Sequence, residues 1–335
     1  MRARKKASGK TYYYYDAGGQ PRREIPLGCD YIGAIKQWAE LEGDASSQNI
    51  VTFKDLADRY LKEVIPTKAP RTQSDNIKEL GWLFKFFNNP PAPLSSIQPV
   101  AISQYMAWRG KTAKVRANRE KALFSHIWNK GRAWGIINLP NPCTGIEGFT
   151  EAGRDIYIED DVFSAVSKVA CQPLKDALDL AYLTGQRPAD TLKMQETDIN
   201  QKNQVLLVAQ NKTKKKLRFE IEGELAHLIT RIQERKSGHK VQTLQLIVNE
   251  AGSALTQGAL RSRFEKARIR AASDNPKLAD QITAFQFRDI RAKAATDKTD
   301  SDGMLAAQKQ LGHKSIKMTE SYVRNRRGDK VKPTR

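Results

Sequence analysis

The chain is 335 residues long and strongly basic: 57 lysines and arginines stand against 37 aspartates and glutamates, a formal net charge of +20. Hydrophobic residues make up 39% of it, enough for sizeable cores, which excludes a disordered chain. Three widely spaced cysteines, Cys29, Cys143 and Cys171, indicate neither a disulfide framework nor a cysteine zinc site and fit a reducing compartment. Without a long apolar run or a secretory signal, we expect a cytoplasmic protein that does not bind membranes.

Positive charge is concentrated in four segments rather than spread evenly. They lie within residues 1–23, residues 109–121, residues 212–218 and the tail after Tyr322. A protein this basic most often binds a polyanion, and separate basic segments indicate contact along an extended phosphate backbone. The alternative at this level is a ribosome-associated or merely basic protein whose charges form a solvated surface.

Residues 1–48 are predicted to form a small basic module. Aromatic strand formers at 12–15, turn-forming residues at 17–20 and a returning strand at 22–27 indicate a β-hairpin. A short helix is expected at 34–41. The small, polar residues 43–49 then predict a linker.

Residues 50–145 are predicted to form an all-helical domain. Thr52 and Asp55 have the spacing of a capping box, with Asp in place of Glu. Apolar residues at helical spacing predict four helices, near residues 53–64, 77–87, 102–108 and 123–134. His126 lies in one of these apolar stripes and is interpreted as a core residue rather than a metal ligand.

Residues 152–335 are predicted to form an α+β domain that follows a linker at 145–153. Two helices are expected first, and then a hairpin of strands 204–210 and 217–221 with a basic tip between them. Helices dominate after residue 224. The whole chain is therefore predicted to be multidomain and mostly α, with a small antiparallel sheet in its last domain.

Several common catalytic motifs are missing from the sequence. It has no phosphate-binding Gly-x-x-x-x-Gly-Lys-Ser loop, no Gly-x-Gly-x-x-Gly after a strand and no Gly-x-Ser-x-Gly. The four histidines lack metal-ligand spacing, and no carboxylate cluster of a two-metal nuclease is apparent. We therefore expect no metal and no cofactor, so any chemistry on DNA would use Arg, Lys, His and a hydroxyl nucleophile.

Four short stretches in the second half of the chain have a distinctive order. They are Leu-Thr-Gly-Gln-Arg-Pro-Ala-Asp at 183–190, Asn-Lys-Thr-Lys at 211–214, Phe-Arg-Asp-Ile-Arg at 287–291, and Leu-Gly-His-Lys at 311–314 with Tyr322 behind it. Pro188 suits a first helical turn and so predicts Arg187 at a helix start. Asp190, three residues on, shares that face and is predicted to support the guanidinium.

Together these stretches resemble the tyrosine recombinase family, specifically the phage-type integrases. The resemblance covers residues 155–325; residues 51–140 resemble the family's core-DNA-binding domain and the N-terminal module, more loosely, its arm-site-binding module. It implies a site-specific recombinase that cuts and rejoins duplex DNA through a 3′-phosphotyrosine, without metal or ATP. It also implies a homotetramer on attachment sites, DNA-bending accessory partners and a location at the bacterial nucleoid.

The family's catalytic residues carry over position by position. The matching residues are Arg187 and Arg291 for its two arginines, Lys212 for its hairpin lysine, His313 for its late His-or-Trp and Tyr322 for its nucleophile. Arg288 departs from the family, which usually has His there and sometimes Lys. Because a guanidinium cannot act as a neutral base, Arg288 either stabilises charge or marks lost activity.

Lysines and arginines of two basic segments are the candidate DNA contacts. They are Arg109, Lys111, Lys114, Arg116, Arg119, Lys121, Lys214 and Lys215. Lys214 is also the alternative to Lys212 as the hairpin lysine. Two other functions stay open: a type IB topoisomerase, which the N-terminal module and helical domain disfavour, and a non-catalytic DNA-binding protein on an integrase scaffold, which only Arg288 favours.

Overall fold

A computed structural model describes residues 1–6, 9–31, 33–35, 37–38, 40–41, 51–241 and 243–323. The chain divides into two compact units, residues 1–152 and residues 153–335. The predicted linker at 43–49 and the basic tail beyond residue 323 lie outside the described residues, so the division of the first unit at residue 48 stays a prediction. No helix among the described residues is long and apolar enough to cross a bilayer.

The chain begins with a three-stranded antiparallel sheet instead of a two-stranded hairpin. Its strands are β1 (Arg2–Lys5), β2 (Thr11–Asp16) and β3 (Glu24–Gly28), paired in that order. The two predicted strands are confirmed, whereas β1 has a basic sequence without the apolar alternation that predicts a strand. Cross-strand contact with aromatic rings holds it, since the Arg4 guanidinium lies 5.2 Å from the Tyr14 ring centroid. The described residues within 31–41 are helical, as predicted.

Three longer helices follow in the first unit. They are α1 (Phe53–Glu63), α2 (Pro70–Phe87) and α3 (Pro99–Ala133). The predicted capping box opens α1, because the Thr52 side chain accepts from the backbone of Asp55 and the Asp55 side chain accepts from the backbone of Thr52. Pro70 begins α2 instead of merely ending α1, since a proline gives up no helical hydrogen bond in a first turn.

The third and fourth predicted helices form one bent element, α3. The bend lies at Ala113, with φ −156° and ψ 69°, in the middle of the basic segment. Phe149 packs beside the bend, where a Cβ on Gly110 would lie 2.2 Å from the Phe149 ring, so only glycine fits there. The Asn118 side chain donates to the Phe149 carbonyl and accepts from its N–H, both at 2.8 Å, which ties the following segment to α3.

Aromatic packing forms the core of these three helices. The Phe53 and Phe124 rings stack with centroids 4.6 Å apart, and Trp128 is fully buried beside them. His126 lies at the edge of this core with Nδ1 2.7 Å from the Tyr60 hydroxyl oxygen. Burial lowers the pKa of His126, because a charged imidazole loses hydration there. His126 is nevertheless exposed, so its interpretation as a core residue is wrong; its ring reaches the core through its contact with the buried Tyr60.

The second unit combines helices with a small sheet. The helices are α4 (Asp160–Val169), α5 (Gln172–Thr184), α6 (Pro188–Thr191), α7 (Gly223–Ser237), α8 (Gln257–Asp274), α9 (Ala279–Ala284), α10 (Ile290–Asp302), α11 (Met304–Leu311) and α12 (Ile316–Glu320). The strands β4 (Ile199–Asn200), β5 (Val205–Ala209) and β6 (Lys216–Glu220) pair in order as an antiparallel sheet. The mostly helical fold with small antiparallel sheets is therefore confirmed.

The β5–β6 hairpin appears at the predicted position. Leu206 and Val208 are buried while Leu207 is exposed, which is the alternation of a strand with one face on the core. Ala209 pairs with Lys216, so the basic tip lies between them. The two-residue strand β4 is too short for periodicity to predict.

Candidate active site

Arg187 lies at the start of α6, as the position of Pro188 predicts. Gly185 ends α5 in the left-handed region, and Arg187 then takes an extended conformation (φ −69°, ψ 152°) as the residue that caps α6. Its side chain is 23% exposed. Its Nη1 atom is buried and has no hydrogen-bond partner within the described part of the chain.

Asp190 lies on the same short helix but supports Arg187 only weakly. The closest approach, from Arg187 Nη1 to Asp190 Oδ2, is 3.9 Å and exceeds hydrogen-bond length. Instead, the buried carboxylate accepts the backbone N–H of Asn211 at 2.9 Å. Asp190 thus holds the hairpin tip next to the Arg187 turn.

Arg291, on the first turn of α10, is almost completely buried. Its Nη1 donates to the Gly185 carbonyl at 2.7 Å, and its Nη2 donates to the Leu311 carbonyl at 2.8 Å. Its buried Nε has no partner among the residues described. Burial, and then the charge of Arg187, lower the pKa of Arg291 to about 10, so the guanidinium remains charged at neutral pH.

His313 follows α11 and is buried against Arg291. The distance from Arg291 Nη2 to His313 Nε2 is 3.0 Å, and His313 Nδ1 lies 3.1 Å from Thr319 Oγ1. Because a guanidinium can only donate, Nε2 must accept and the proton of the neutral ring lies on Nδ1, where it is donated to Thr319. Burial, followed by the charges of Arg291 and Arg187, lowers the pKa of His313 to about 4, so the ring is neutral near pH 7.

Tyr322 lies just after α12, and its half-buried ring contacts these two residues. Its backbone N–H donates to the Thr319 carbonyl at 2.8 Å. The Tyr322 ring centroid is 5.1 Å from that of His313 and 5.4 Å from the Arg291 guanidinium carbon. The fold therefore brings together residues that lie far apart in the sequence.

An open cavity of about 590 Å³ unites most of the predicted catalytic residues. Its charged and nucleophilic lining consists of Arg154, Arg187, Arg288, Arg291 and Tyr322, with Asp155 and Asp289 as acidic members. Four arginines around one cavity create a strongly anion-attracting site. Among the described residues, no group of three or more His, Cys, Asp or Glu side chains could hold a metal ion.

Arg288 lies in this lining on the turn Phe287–Asp289 and is exposed. The next residue, Asp289, is buried and accepts from Nε and Nη2 of Arg154, each at 2.7 Å. The departure from the family pattern thus places a guanidinium at the cavity, where an imidazole is usual.

Lys212 lies on the exposed tip between β5 and β6. Its rival Lys214 is also exposed and has a left-handed backbone (φ 56°), with its N–H donated to the Gln210 carbonyl at 3.0 Å. The Lys214 backbone is therefore part of the turn itself, while Lys212 lies between two anchored neighbours, Asn211 and Thr213.

The candidate DNA contacts differ in exposure. Lys111, Lys114, Arg116, Arg119, Lys214 and Lys215 are exposed, and Lys121 is half-buried and donates to the Ile146 carbonyl. Arg109 is buried: its Nε lies 2.9 Å from Glu120 Oε2 and its guanidinium lies 3.9 Å from the Trp82 ring centroid. Arg109 is therefore not placed to contact DNA, because its charge is already paired with Glu120 inside the helical part.

Sequence reasoning missed four residues that shape the site. Arg154, directly after the predicted linker, lines the cavity, Thr319 bonds the His313 ring, and the buried amides of Gln186 and Gln210 hydrogen-bond each other. For Gln186 a signal existed, since it directly precedes Arg187. Each of the other three contacts a residue more than five positions away in the sequence, so the local sequence pattern does not predict the contact.

Comparison with known proteins identifies relatives that cover most of the chain. The phage integrase family matches residues 158–328, a little more than half of the sequence. The integrase of Escherichia phage HK022 is 26% identical over 294 residues, covering 84% of this chain and 78% of that protein. The integrase of Escherichia phage lambda is 27% identical over 300 residues, covering 85% and 80%.

Solved structures share the fold at lower identity. A lambda integrase dimer bound to a COC′ core site is 20% identical with a TM-score of 0.71, covering 99% of this chain and 97% of that one. A lambda integrase tetramer bound to a Holliday junction has a TM-score of 0.73 at 20% identity, and the match covers 98% of this chain and 97% of that one. The integrase of transposon Tn1549, in complex with a circular intermediate DNA, has a TM-score of 0.66 at 14% identity, and the match covers 80% of this chain and 93% of that one.

Proposed function

This chain belongs to the phage integrase family and is a site-specific tyrosine recombinase, and on that premise we propose that it integrates or excises a mobile element. It does so by cutting and rejoining duplex DNA through a 3′-phosphotyrosine. The observation that carries this proposal is the meeting of Arg187, Arg291, His313 and Tyr322 around a single site. These residues come from three separate stretches of sequence.

Arg187 and Arg291 are proposed to bind the scissile phosphate. Arg187 Nη1 and Arg291 Nε are buried donors without a partner in the described chain. Non-bridging phosphate oxygens would accept from them, and two guanidiniums stabilise the charge that builds up at phosphorus during attack. Arg288, at the same cavity, is proposed to add positive charge rather than to act as a base.

Tyr322 is proposed as the nucleophile. Its phenolic oxygen attacks phosphorus, the Tyr322 oxygen–phosphorus bond forms, and the phosphorus–5′-oxygen bond breaks. The phenol proton passes to water in the open cavity, since His313 is too weak a base to keep it. Lys212 gives a proton to the departing 5′ oxygen. The phosphotyrosine conserves the energy of the diester, so a 5′ hydroxyl can reverse the reaction on a partner strand without ATP.

The proposed partner is duplex DNA that carries attachment sites. Related lambda integrase structures hold a dimer on a core site and a tetramer on a Holliday junction, and this chain is proposed to assemble likewise as a homotetramer. DNA-bending proteins are proposed as accessory partners and the host nucleoid as its location. Residues 1–48, 50–145 and 152–335 are proposed as arm-binding, core-binding and catalytic domains.

A suicide substrate tests the proposal. A duplex built on the attachment sequence from DNA flanking the gene, nicked so that the cut strand dissociates, should trap a covalent adduct whose peptide maps to Tyr322. Tyr322→Phe should bind the same duplex and form no adduct. Unchanged cleavage by Tyr322→Phe would refute the nucleophile, an adduct-free wild type would favour a non-catalytic DNA-binding protein, and site-independent relaxation of supercoils would favour a topoisomerase.

A further inference from the structure

Two buried glutamines form a closed hydrogen-bond network beside the site. Gln186 and Gln210 are each 1% exposed. The Gln186 amide nitrogen donates to the carbonyls of Thr184 and Gln310, at 2.8 and 3.1 Å, and the Gln210 amide nitrogen donates to Gln186 Oε1 and the Leu311 carbonyl, at 2.8 and 2.9 Å. Each amide thus uses both of its N–H groups, and exchanging N and O would set oxygen against oxygen.

The network reaches the hairpin tip through the second atom of Gln210. Gln210 Oε1 accepts from Thr213 Oγ1 at 2.5 Å. On the other side of Lys212, the Asn211 N–H is held by Asp190. Lys212 therefore lies between two neighbours that are both anchored to buried polar groups, although its own side chain is exposed.

The same network meets the turn that carries His313. The Leu311 carbonyl accepts from Gln210 and also from Arg291. Gly312 follows with φ +67°, and a Cβ there would lie 3.1 Å from Gln210 Nε2, so the amide fills the space that the glycine leaves. A change at Gln210 would leave buried donors and acceptors without partners, and such groups are costly inside a protein.

We infer that Gln210 is a positioning residue for Lys212: its buried amide ties the hairpin tip to the turns that carry Arg187 and His313. This inference rests on the proposed function, in which Lys212 protonates the departing 5′ oxygen. A glutamine that contacts all three segments suits a role in alignment.

A sulfur leaving group separates this role from a general effect on the fold. A thiolate leaves without protonation because a thiol has a pKa of about 8.5, far below that of an alcohol. Two suicide duplexes with the flanking attachment sequence are needed, one with the normal 5′ oxygen and one with sulfur at that bridging position. Lys212→Ala should cleave the oxygen duplex slowly and regain most of its rate on the sulfur duplex. We expect Gln210→Leu to lose about 10- to 100-fold on the oxygen duplex, no more than the lower end of the roughly 100- to 10,000-fold that acid–base catalysis contributes, and to regain this loss on the sulfur duplex.

Two milder variants guard against misfolding of Gln210→Leu. Thr213→Val removes only the hydroxyl that bonds Gln210 and should give a smaller loss on oxygen that sulfur restores, while Thr213→Ser should keep the wild-type rate. Gln201→Leu, in the exposed turn before β5, is the matched control and should cleave both duplexes normally.

Equal losses on both duplexes for Gln210→Leu and Thr213→Val, or no loss for either variant, would overturn the inference. If Lys212→Ala does not regain its cleavage rate on the sulfur duplex while wild type cleaves both duplexes, Lys212 is not the proton donor. The inference about Gln210 is then wrong as well. Absence of cleavage by wild type on either duplex would instead contradict the proposed function.

Discussion

The guanidinium of Arg291 and the imidazole of His313 form a buried contact, with Nη2 3.0 Å from Nε2. The arginine donates, so the histidine must present an unprotonated nitrogen and carry its proton on the side of Thr319. Both side chains are almost completely buried, and both lie beside the ring of Tyr322. The protonation of His313 is therefore coupled to the geometry of the whole site.

Acidification should destabilise the second unit through His313. Its pKa falls from 6.5 to about 4 on folding, so the unfolded chain binds more protons between those values and stability rises with pH across that interval. Stability gained from this residue is thus complete above about pH 6.5 and is lost as the pH falls towards 4. Urea unfolding at pH 7.5 and pH 5 measures it. His313→Gln should show a smaller loss on acidification than wild type, and an equal loss would contradict the prediction.

Arg291→Lys should reduce cleavage by about 100- to 1,000-fold, the usual effect of losing one donor that stabilises transition-state charge. A lysine keeps the charge but cannot reach Gly185, Leu311 and His313 with one planar group. Single-turnover cleavage of the suicide duplex gives the rate, and gel-shift titration should show nearly unchanged DNA affinity. A comparable fall in affinity would mean that Arg291 acts in ground-state binding instead.

Arg109 and Arg116 should behave differently despite lying in one basic segment. Arg109→Ala leaves the buried Glu120 with the Tyr105 hydroxyl but without its charged partner, and should cost about 3–5 kcal/mol of stability, seen as a lower urea midpoint. Arg116 is exposed, so Arg116→Ala should leave stability unchanged and reduce the slope of log affinity against log salt by about 1. An unchanged salt slope would remove Arg116 from the DNA contacts.

Asp190→Ala should disturb the tip of the β5–β6 hairpin more than it disturbs the Arg187 side chain. The substitution removes the acceptor of the Asn211 N–H at 2.9 Å, whereas the Arg187 pair is already long at 3.9 Å. We therefore expect faster amide hydrogen exchange at residues 210–215 and slower cleavage. Asp198→Ala, which removes a comparable side-chain contact to the Gln195 backbone, is a matched control and should leave that exchange unchanged.

Local sequence determined much of the architecture. The capping box at Thr52, the helix start at Pro188 and the β5–β6 hairpin each follow from residues within a few positions of one another, so periodicity and capping chemistry predict them. The order of the four motif stretches was also sufficient to indicate the family. In contrast, β1 and the single bent α3 depend on contacts with distant residues, and the sequence alone did not predict them.

Only the tertiary structure decided which charges are free. Arg109 and Arg116 are equivalent in a list of basic residues, yet one is buried against Glu120 and the other is exposed. Likewise, the contact between Gln186 and Gln210 could not be predicted from sequence, because only the fold brings their amides within 2.8 Å of each other. The physical reason is that burial and hydrogen-bond pairing are properties of the packed chain. The sequence can specify which groups are able to bond, and packing selects the partner that each one meets.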